Sequence, residues 1–208
     1  EIPRRNGKNE VVVIREMWGL THGEKILHTA HRTTTSTSAA RRLDARLVGA
    51  GYEEVARIKK GEKYDKHFTY TKQLGMERIV LLGEGGGTID FRTRSSSGGL
   101  GEGFDLLVID EAQEYTDNQE TALKYVVTDS KNPQTIFCGT PPTTVSAGTV
   151  FTKMRSAVLQ GETTNTGWAE WSVDEMTDPG NKEAWYETNP SLGTILTERA
   201  IQDEIGTD

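Results

Sequence analysis

The feature that most constrains the fold is an apolar run that ends in two acids. Residues 106–109 read Leu-Leu-Val-Ile, and Asp110 and Glu111 follow at once. An uninterrupted apolar run of this length predicts a strand buried on both faces, as in a parallel sheet. Two adjacent acids at the end of such a strand cost free energy unless a cation lies near them. The pattern predicts a charged site at a strand end, or alternatively a solvated acidic turn at the surface.

Apolar runs alternate with helical periodicity along the rest of the chain, which is typical of α/β proteins. The predicted strands are 25–30, 79–82, 88–92, 106–109 and 135–138, and the predicted helices are 11–20, 36–48, 118–127 and 150–159. The glycines at 85–87 predict a hairpin turn. We expect a mostly parallel central sheet flanked by helices over residues 1–160, and a small lid or linker subdomain over 161–208. Trp168, Trp171 and Trp185 are interpreted as its aromatic core, with base stacking as the alternative.

Composition narrows the class of protein. The single cysteine, Cys138, excludes an internal disulfide framework and fits a reducing, cytoplasmic compartment. Apolar stretches all fall short of the roughly 20 residues that span a bilayer, so no membrane partner is expected. Basic residues dominate 1–72 and acidic residues dominate the remainder, with a net charge of −7. This balance argues against a surface coated with positive charge for tight, passive binding of DNA. It allows a polyanion to bind one face of the protein.

A second motif precedes the first predicted helix. It consists of Pro3, Arg4, Arg5, Asn6, Gly7, Lys8, Asn9 and Glu10. A Gly-Lys pair at a helix start allows backbone N–H groups and the lysine to approach phosphate oxygens, so these eight residues are the predicted nucleotide-binding segment. Two positions weaken the motif, because Ile2 replaces the first glycine and Asn9 stands at the usual Ser/Thr magnesium ligand. Taken alone, the segment also reads as a solvated basic turn.

Together the motifs predict a P-loop ATPase that uses ATP and Mg²⁺. Asp110 would orient Mg²⁺, directly or through water, with Asn9 as a weak second ligand, and Glu111 would activate the attacking water. The strand at 135–138 ends in Gly139 and Thr140, and this turn could place a hydroxyl near the γ-phosphate.

Four motifs in this order resemble the ATPase half of tailed-phage large terminases, especially those of actinobacteriophages. They are PRRNGKNE at 3–10, VIDEAQEY at 108–115, CGTPP at 138–142 and WYETNPSLG at 185–193. The resemblance implies that Arg4 and Lys8 bind phosphates, that Asp110 holds magnesium and that Glu111 is the hydrolytic base. Gly139 and Thr140 would then couple hydrolysis to movement.

The resemblance also implies a function and partners. ATP hydrolysis would drive translocation of double-stranded viral DNA into a procapsid in the host cytoplasm. Partners would be the phage portal, the small terminase subunit and further copies of the chain in a ring.

Three departures from the family pattern generate expectations of their own. The family has a strand before the phosphate loop and a nuclease domain after the ATPase, so we expect this chain to be part of a longer polypeptide, with nuclease activity elsewhere. The usual position of an arginine donated to a neighbouring subunit reads Gly98 to Glu102. Arg92 and Arg94 are the nearest candidates, with surface arginines of the hairpin as the alternative.

Two rival functions remain open. The Asp-Glu-Ala-Gln box at 110–113 also resembles helicase-like DNA-dependent ATPases, although no second set of helicase motifs follows. A non-catalytic, truncated or split terminase fragment is the rival from another class. His28 and His31 have no cysteine or clustered acid beside them and do not predict a metal site. The Thr/Ser run at 33–38 reads equally as a DNA contact or a helix cap.

Overall fold

The computed structural model describes residues 1–94, 101–174 and 176–206. Its strands are β1 (Lys25–Ala30), β2 (Glu53–Glu54), β3 (His67–Thr71), β4 (Arg78–Leu82), β5 (Thr88–Thr93), β6 (Leu106–Asp110) and β7 (Gln134–Cys138). Its helices are α1 (Lys8–Thr21), α2 (Thr33–Gly49), α3 (Asp117–Leu123), α4 (Val150–Leu159), α5 (Lys182–Thr188) and α6 (Glu198–Ile205). Among these helices none combines the length and apolar character needed to cross a bilayer.

The strands form one sheet in the order β2-β3-β4-β5-β1-β6-β7. The pairs β2–β3, β5–β1, β1–β6 and β6–β7 are parallel, whereas β3–β4 and β4–β5 are antiparallel. The prediction of a mostly parallel α/β sheet is therefore confirmed, as is the hairpin through residues 85–87. Sequence patterns did not predict β2, which has two residues, or β3, whose apolar residues do not form a continuous run.

Alternating residues of β6 hold the two layers of helices on the sheet. Leu106 and Val108 belong to the core beneath α1 and α2, whereas Leu107 and Ile109 belong to the core beneath α3 and α4. All four are buried, as the continuous apolar run predicts. Burying a side chain of this size contributes about 1.5–3 kcal/mol, so packing on both faces holds β6 firmly up to its acidic end.

Three predicted helices differ in their bounds from those observed, and α1 and α2 extend beyond 11–20 and 36–48 at both ends. The helix expected at 118–127 ends at Leu123, and Val126 and Val127 are buried in the turns that follow. Their apolar character reflects core packing rather than helical periodicity. The Thr/Ser run lies inside α2, whose N-cap is Arg32 and carries no side-chain cap bond. The cap interpretation of that run is therefore wrong.

The tail beyond α4 packs partly on itself and partly on the sheet domain. Trp185 is buried with Leu192 and Leu196 in a small cluster, as expected of an aromatic core. Trp168 instead packs against Phe151 of α4, with ring centroids 5.2 Å apart. Trp171 is 39% exposed and belongs to neither group.

Candidate active site

The predicted site residues meet along one edge of the sheet. Strands β5, β1, β6 and β7 run parallel to one another, so their carboxyl ends share that edge. Arg94, His31, Glu111 and Gly139 follow these four strands. The predicted phosphate loop reaches the same edge, because the Ile2 N–H donates to the Gly139 carbonyl at 3.3 Å. Segments distant in sequence thus form one site.

The loop before α1 has the backbone of an anion cradle. Gly7, the N-cap of α1, has φ 77°, a left-handed conformation that favours glycine, and Arg5 has φ 64°. No side chain caps this helix start. Its N–H groups and the positive end of the helix dipole are therefore directed at the space in front of the loop.

Asn6 anchors the loop to the tail. Its amide nitrogen donates to the Asn189 Oδ1 at 2.8 Å, and its Oδ1 accepts from the Ser191 backbone N–H at 3.0 Å. The Ser191 hydroxyl lies 2.8 Å from the same Oδ1 and 2.9 Å from the Arg5 carbonyl. Asn6 and Ser191 are both buried. We call this set of contacts the Asn6 clamp. The resemblance to large terminases matched Asn189 to Gly193 only with a segment that leads toward a nuclease domain.

Lys8 and Asp110 are in contact. The Lys8 Nζ donates to the Asp110 Oδ1 at 3.2 Å, and the Glu111 N–H donates to the same oxygen at 2.8 Å. Burial alone raises the pKa of Asp110, but the charges of Lys8 and His28 and these hydrogen bonds lower it below its ordinary value overall. Asp110 is therefore an ionised carboxylate, as a magnesium-orienting acid must be.

Glu111 is held in a strained but well-supported conformation. Its φ and ψ are 53° and 49°, left-handed values that cost a non-glycine residue about 1–2 kcal/mol. Its carboxylate accepts from the His31 N–H at 3.1 Å and from the Thr35 hydroxyl at 3.2 Å. The carboxylate thus lies at the carboxyl edge between β6 and the start of α2. Thr35, which belongs to the Thr/Ser run, therefore donates a hydrogen bond to the predicted base.

Arg94 braces the acidic turn from beneath. Its guanidinium donates to the carbonyls of Thr29, Asp110 and Glu111, and it lies 5.5 Å from the centre of the Tyr115 ring. Burial lowers its pKa to about 10, against the opposing charges of Glu111 and Asp110. Arg94 is 7% exposed, so it is a buried residue within this chain and not a surface arginine of the hairpin.

The Gly139–Thr140 turn is connected to the acidic turn through Gln113. The Gln113 Oε1 accepts from the Thr140 N–H at 3.2 Å. A Cβ on Gly139 would lie 3.0 Å from the Phe151 ring and 3.1 Å from the Gln113 Oε1, so glycine allows this close approach. In the preceding strand Cys138 pairs in register with Asp110, and burial raises the pKa of its thiol to about 11.

The remaining predicted site residues make other contacts or are exposed to solvent. Glu10 pairs with Arg46 at 2.9 Å and Arg42 at 3.5 Å, joining α1 to α2. Arg92 pairs with Asp90 at 3.0 Å. Arg4 and Arg5 are exposed beside the loop, and Pro3 is half-buried. Residues 95–100, which include part of the stretch compared with the donated arginine, lie outside the described residues.

Two buried residues of the site were not predicted from the sequence. Glu16 of α1 and His28 of β1 are in contact, with 2.6 Å between the Glu16 Oε1 and the His28 Nδ1. The His28 Nε2 lies 3.9 Å from the Asp110 Oδ2. Burial lowers the pKa of His28, but the charge and hydrogen bond of Glu16 and the charge of Asp110 raise it above its ordinary value. The sequence did contain one indication of this pair, because Glu16 has the helical spacing of the buried residues Val12, Val13 and Leu20 and therefore lies on the core face of α1.

The donors fit the magnesium ion that the motifs imply. Magnesium prefers oxygen ligands and is commonly held in ATPases by only one or two protein groups besides phosphates and water. Asp110 supplies carboxylate oxygens, and the buried Asn9 Oδ1 has no hydrogen-bond partner among the described residues. Both residues line the same small cavity of about 10 Å³. In the described part of the chain there is no cluster of three or more metal-ligating side chains.

Known proteins share this fold. No family model matches the sequence, and no curated protein is significantly similar to it. The crystal structure of the HK97 bacteriophage large terminase matches with a TM-score of 0.80 and 13% identity, over 100% of this chain and 42% of that one. A mutant of the large terminase ATPase domain of Thermus phage P74-26 matches with a TM-score of 0.52 and 14% identity, over 84% and 66%.

These likenesses define the class of the fold. It is the α/β fold of large-terminase ATPase domains, and the resemblance drawn from the motifs is confirmed at the level of fold. The chain spans less than half the length of the HK97 large terminase.

Proposed function

We propose that this chain hydrolyses ATP at the carboxyl edge of β1, β6 and β7. The observation that carries the proposal is the contact between Lys8 and Asp110, 3.2 Å apart, beside the strained Glu111. A lysine at a helix start and an acidic pair at a strand end are the two halves of a phosphoryl-transfer site. Their separation by 102 residues in sequence makes chance proximity a poor explanation.

Each residue has a distinct task in the proposed reaction. Backbone N–H groups around Gly7, with Lys8 and the exposed Arg4, bind the phosphates of ATP. Glu111 accepts a proton from the attacking water, and the His31 N–H and Thr35 hydroxyl hold its carboxylate in place. Mg²⁺, when bound, neutralises charge that develops on the phosphate oxygens. Asp110 and Asn9 would hold it.

Lys8→Ala and Glu111→Gln separate binding from hydrolysis. In the full-length protein, Lys8→Ala should weaken ATP binding at least about tenfold, because a charge-assisted contact is lost. Glu111→Gln should leave binding within about twofold and lower kcat at least about 100-fold, because the base is removed while its shape is kept. Calorimetry measures binding, and phosphate release measures turnover.

Glu114→Gln is the matched control for the glutamate variant. Glu114 lies in the same turn, but its carboxylate accepts from the Ala147 N–H and has no part in the proposed reaction. It should retain the parent rate. Parental turnover in Glu111→Gln would reject Glu111 as the base. If the full-length protein without substitutions does not turn over ATP, the non-catalytic alternative is favoured.

We further propose that hydrolysis drives double-stranded DNA into a viral procapsid, in the host cytoplasm and in a ring of copies at the phage portal, with the small terminase subunit. The likeness to the HK97 large terminase supports this over a helicase-like ATPase. Thr140 is the proposed coupling residue, because its turn contacts the acidic turn through Gln113 and its hydroxyl is then available to sense the γ-phosphate. Arg92 is the better candidate for an arginine donated to a neighbour, since 22% of its side chain is exposed whereas Arg94 is buried.

A further inference from the structure

Three buried titratable side chains lead from the core of α1 to the acidic end of β6. Glu16, His28 and Asp110 are 0%, 3% and 3% exposed. The Glu16–His28 contact is 2.6 Å, and the His28 Nε2 lies 3.9 Å from the Asp110 Oδ2. These three residues are called the acidic-histidine row below. Only Asp110 is assigned a task in the reaction proposed above.

The row is costly if its role is packing alone. Removing charged groups from water costs several kcal/mol per ion, and apolar side chains of similar volume fill a helix–strand contact at lower cost. His28 also packs against the Phe91 ring, with centroids 5.2 Å apart, so an apolar residue would fit its surroundings. Groups of this kind are concentrated at functional sites.

The contacts of Asp110 are incomplete on one side. Its Oδ1 accepts from both Lys8 and the Glu111 N–H. Its Oδ2 faces the His28 Nε2 across 3.9 Å, a distance too long for a hydrogen bond. Within the described residues, the His28 Nε2 has no other hydrogen-bond partner. The ring thus lies between two carboxylates, with its Nδ1 toward Glu16 and its Nε2 toward Asp110.

We propose that Glu16 and His28 are positioning residues that hold Asp110 when Lys8 leaves it for the phosphates of ATP. This inference rests on the proposed function. Asp110 loses the Lys8 contact at that moment, and a shift of about 1 Å toward His28 gives its Oδ2 a normal hydrogen bond. Glu16 fixes the ring from the other side, as carboxylates do for histidines that support metal sites.

The test compares nucleotide affinity with and without magnesium. In the full-length protein, the Kd of ATPγS is measured by calorimetry in excess EDTA and again in excess Mg²⁺. Glu16→Gln removes charge at nearly constant shape, and His28→Gln is an independent second variant. In EDTA both should bind within about twofold of the parent. In Mg²⁺ both should bind about tenfold more weakly, because the residue that orients the ion is less well held.

Glu77→Gln is the matched control, since Glu77 is equally buried at 2% exposure but bonds Thr37 of α2. It should retain both parental Kd values, and thermal unfolding shows whether each variant keeps the fold. If both Glu16→Gln and His28→Gln weaken ATPγS binding equally with and without Mg²⁺, their role is packing and the inference is overturned. Unchanged affinities in both variants overturn it as well. A parent that does not bind ATPγS overturns the proposed function itself, so the two failures are distinguishable.

Discussion

At the scale of single residues, the site combines backbone strain with unusual burial. Glu111 adopts a left-handed conformation, and Arg94 donates to its carbonyl from beneath. The surrounding contacts therefore hold Glu111 in a backbone conformation that is unfavourable for a residue with a Cβ. Such strain persists where it orients a functional group. Here it turns the Glu111 carboxylate toward the His31 N–H and the Thr35 hydroxyl, which hold it at the carboxyl edge of the sheet.

Glu111→Gly should be more stable than Glu111→Ala by about 1 kcal/mol. Both variants lose the same carboxylate hydrogen bonds, but glycine adopts positive φ without the steric cost that a Cβ incurs. Chemical denaturation of the two variants measures the difference, and both should be inactive as ATPases. An alanine variant as stable as the glycine variant would show that the turn relaxes and that position 111 carries no strain.

At the scale of elements, local patterns predicted those parts of the fold that rest on local signals. Apolar residues in β1, β6 and β7 and the clear periodicity of α4 predicted these four elements, although only β6 is buried along its whole length and β7 is largely exposed or half-buried. The Gly-Lys and Asp-Glu motifs likewise predicted the centre of the site. Glu16 and His28 were missed because their proximity depends on how α1 crosses β1. The Asn6 clamp was missed because it joins residues more than 180 positions apart.

Glu170 fastens the segment after α4 and should make its attachment sensitive to acid. The carboxylate accepts from Arg155 twice at 2.7 Å and from the Trp168 indole at 2.8 Å. The hydrogen bond from Arg155, together with those from Ser172 and Trp168, lowers the pKa of Glu170 to about 2 despite partial burial. Its stabilising contribution is therefore present above pH 4.5 and is lost as the pH falls toward about 2.

Glu170→Gln should lower the free energy of unfolding by about 2 kcal/mol at pH 7, since hydrogen bonds to a charged group are lost. The difference from the parent should shrink as the pH falls from about 4.5 toward 2. Thermal unfolding of both proteins across this range measures it. Glu187→Gln, at an exposed tail carboxylate, should differ from the parent by less than about 0.5 kcal/mol. A pH-independent difference would contradict the ionic role of Glu170.

At the scale of the whole molecule, one sheet edge collects the ends of four parallel strands and the start of a helix. Residues on α1, β5, β6, β7 and the tail thereby meet in one place. This arrangement follows from the topology, because parallel strands end on the same side. It also places the proposed coupling turn, Gly139–Thr140, beside the proposed chemistry.

Thr140→Ala should separate ATP hydrolysis from DNA movement. The Thr140 hydroxyl is removed while its backbone N–H still donates to Gln113, so the acidic turn should keep its geometry. We expect ATP turnover within about threefold of the parent and loss of DNA packaging in a reconstituted assay with procapsids. Thr143→Ala, in the exposed part of the same loop, should package normally. Normal DNA packaging by Thr140→Ala would show that Thr140 has no coupling role and is only a residue of the turn.

The Asn6 clamp has a mechanical consequence. Asn6 belongs to the phosphate loop, where it donates to the Arg4 carbonyl, and it also bonds to Asn189 and Ser191 of the tail. A loop that closes on a nucleotide must therefore pull this stretch with it or break buried hydrogen bonds, each costing about 1–3 kcal/mol. While these hydrogen bonds hold, residues 189–191 move together with the loop, so a nucleotide bound at one end of the chain is felt at the other.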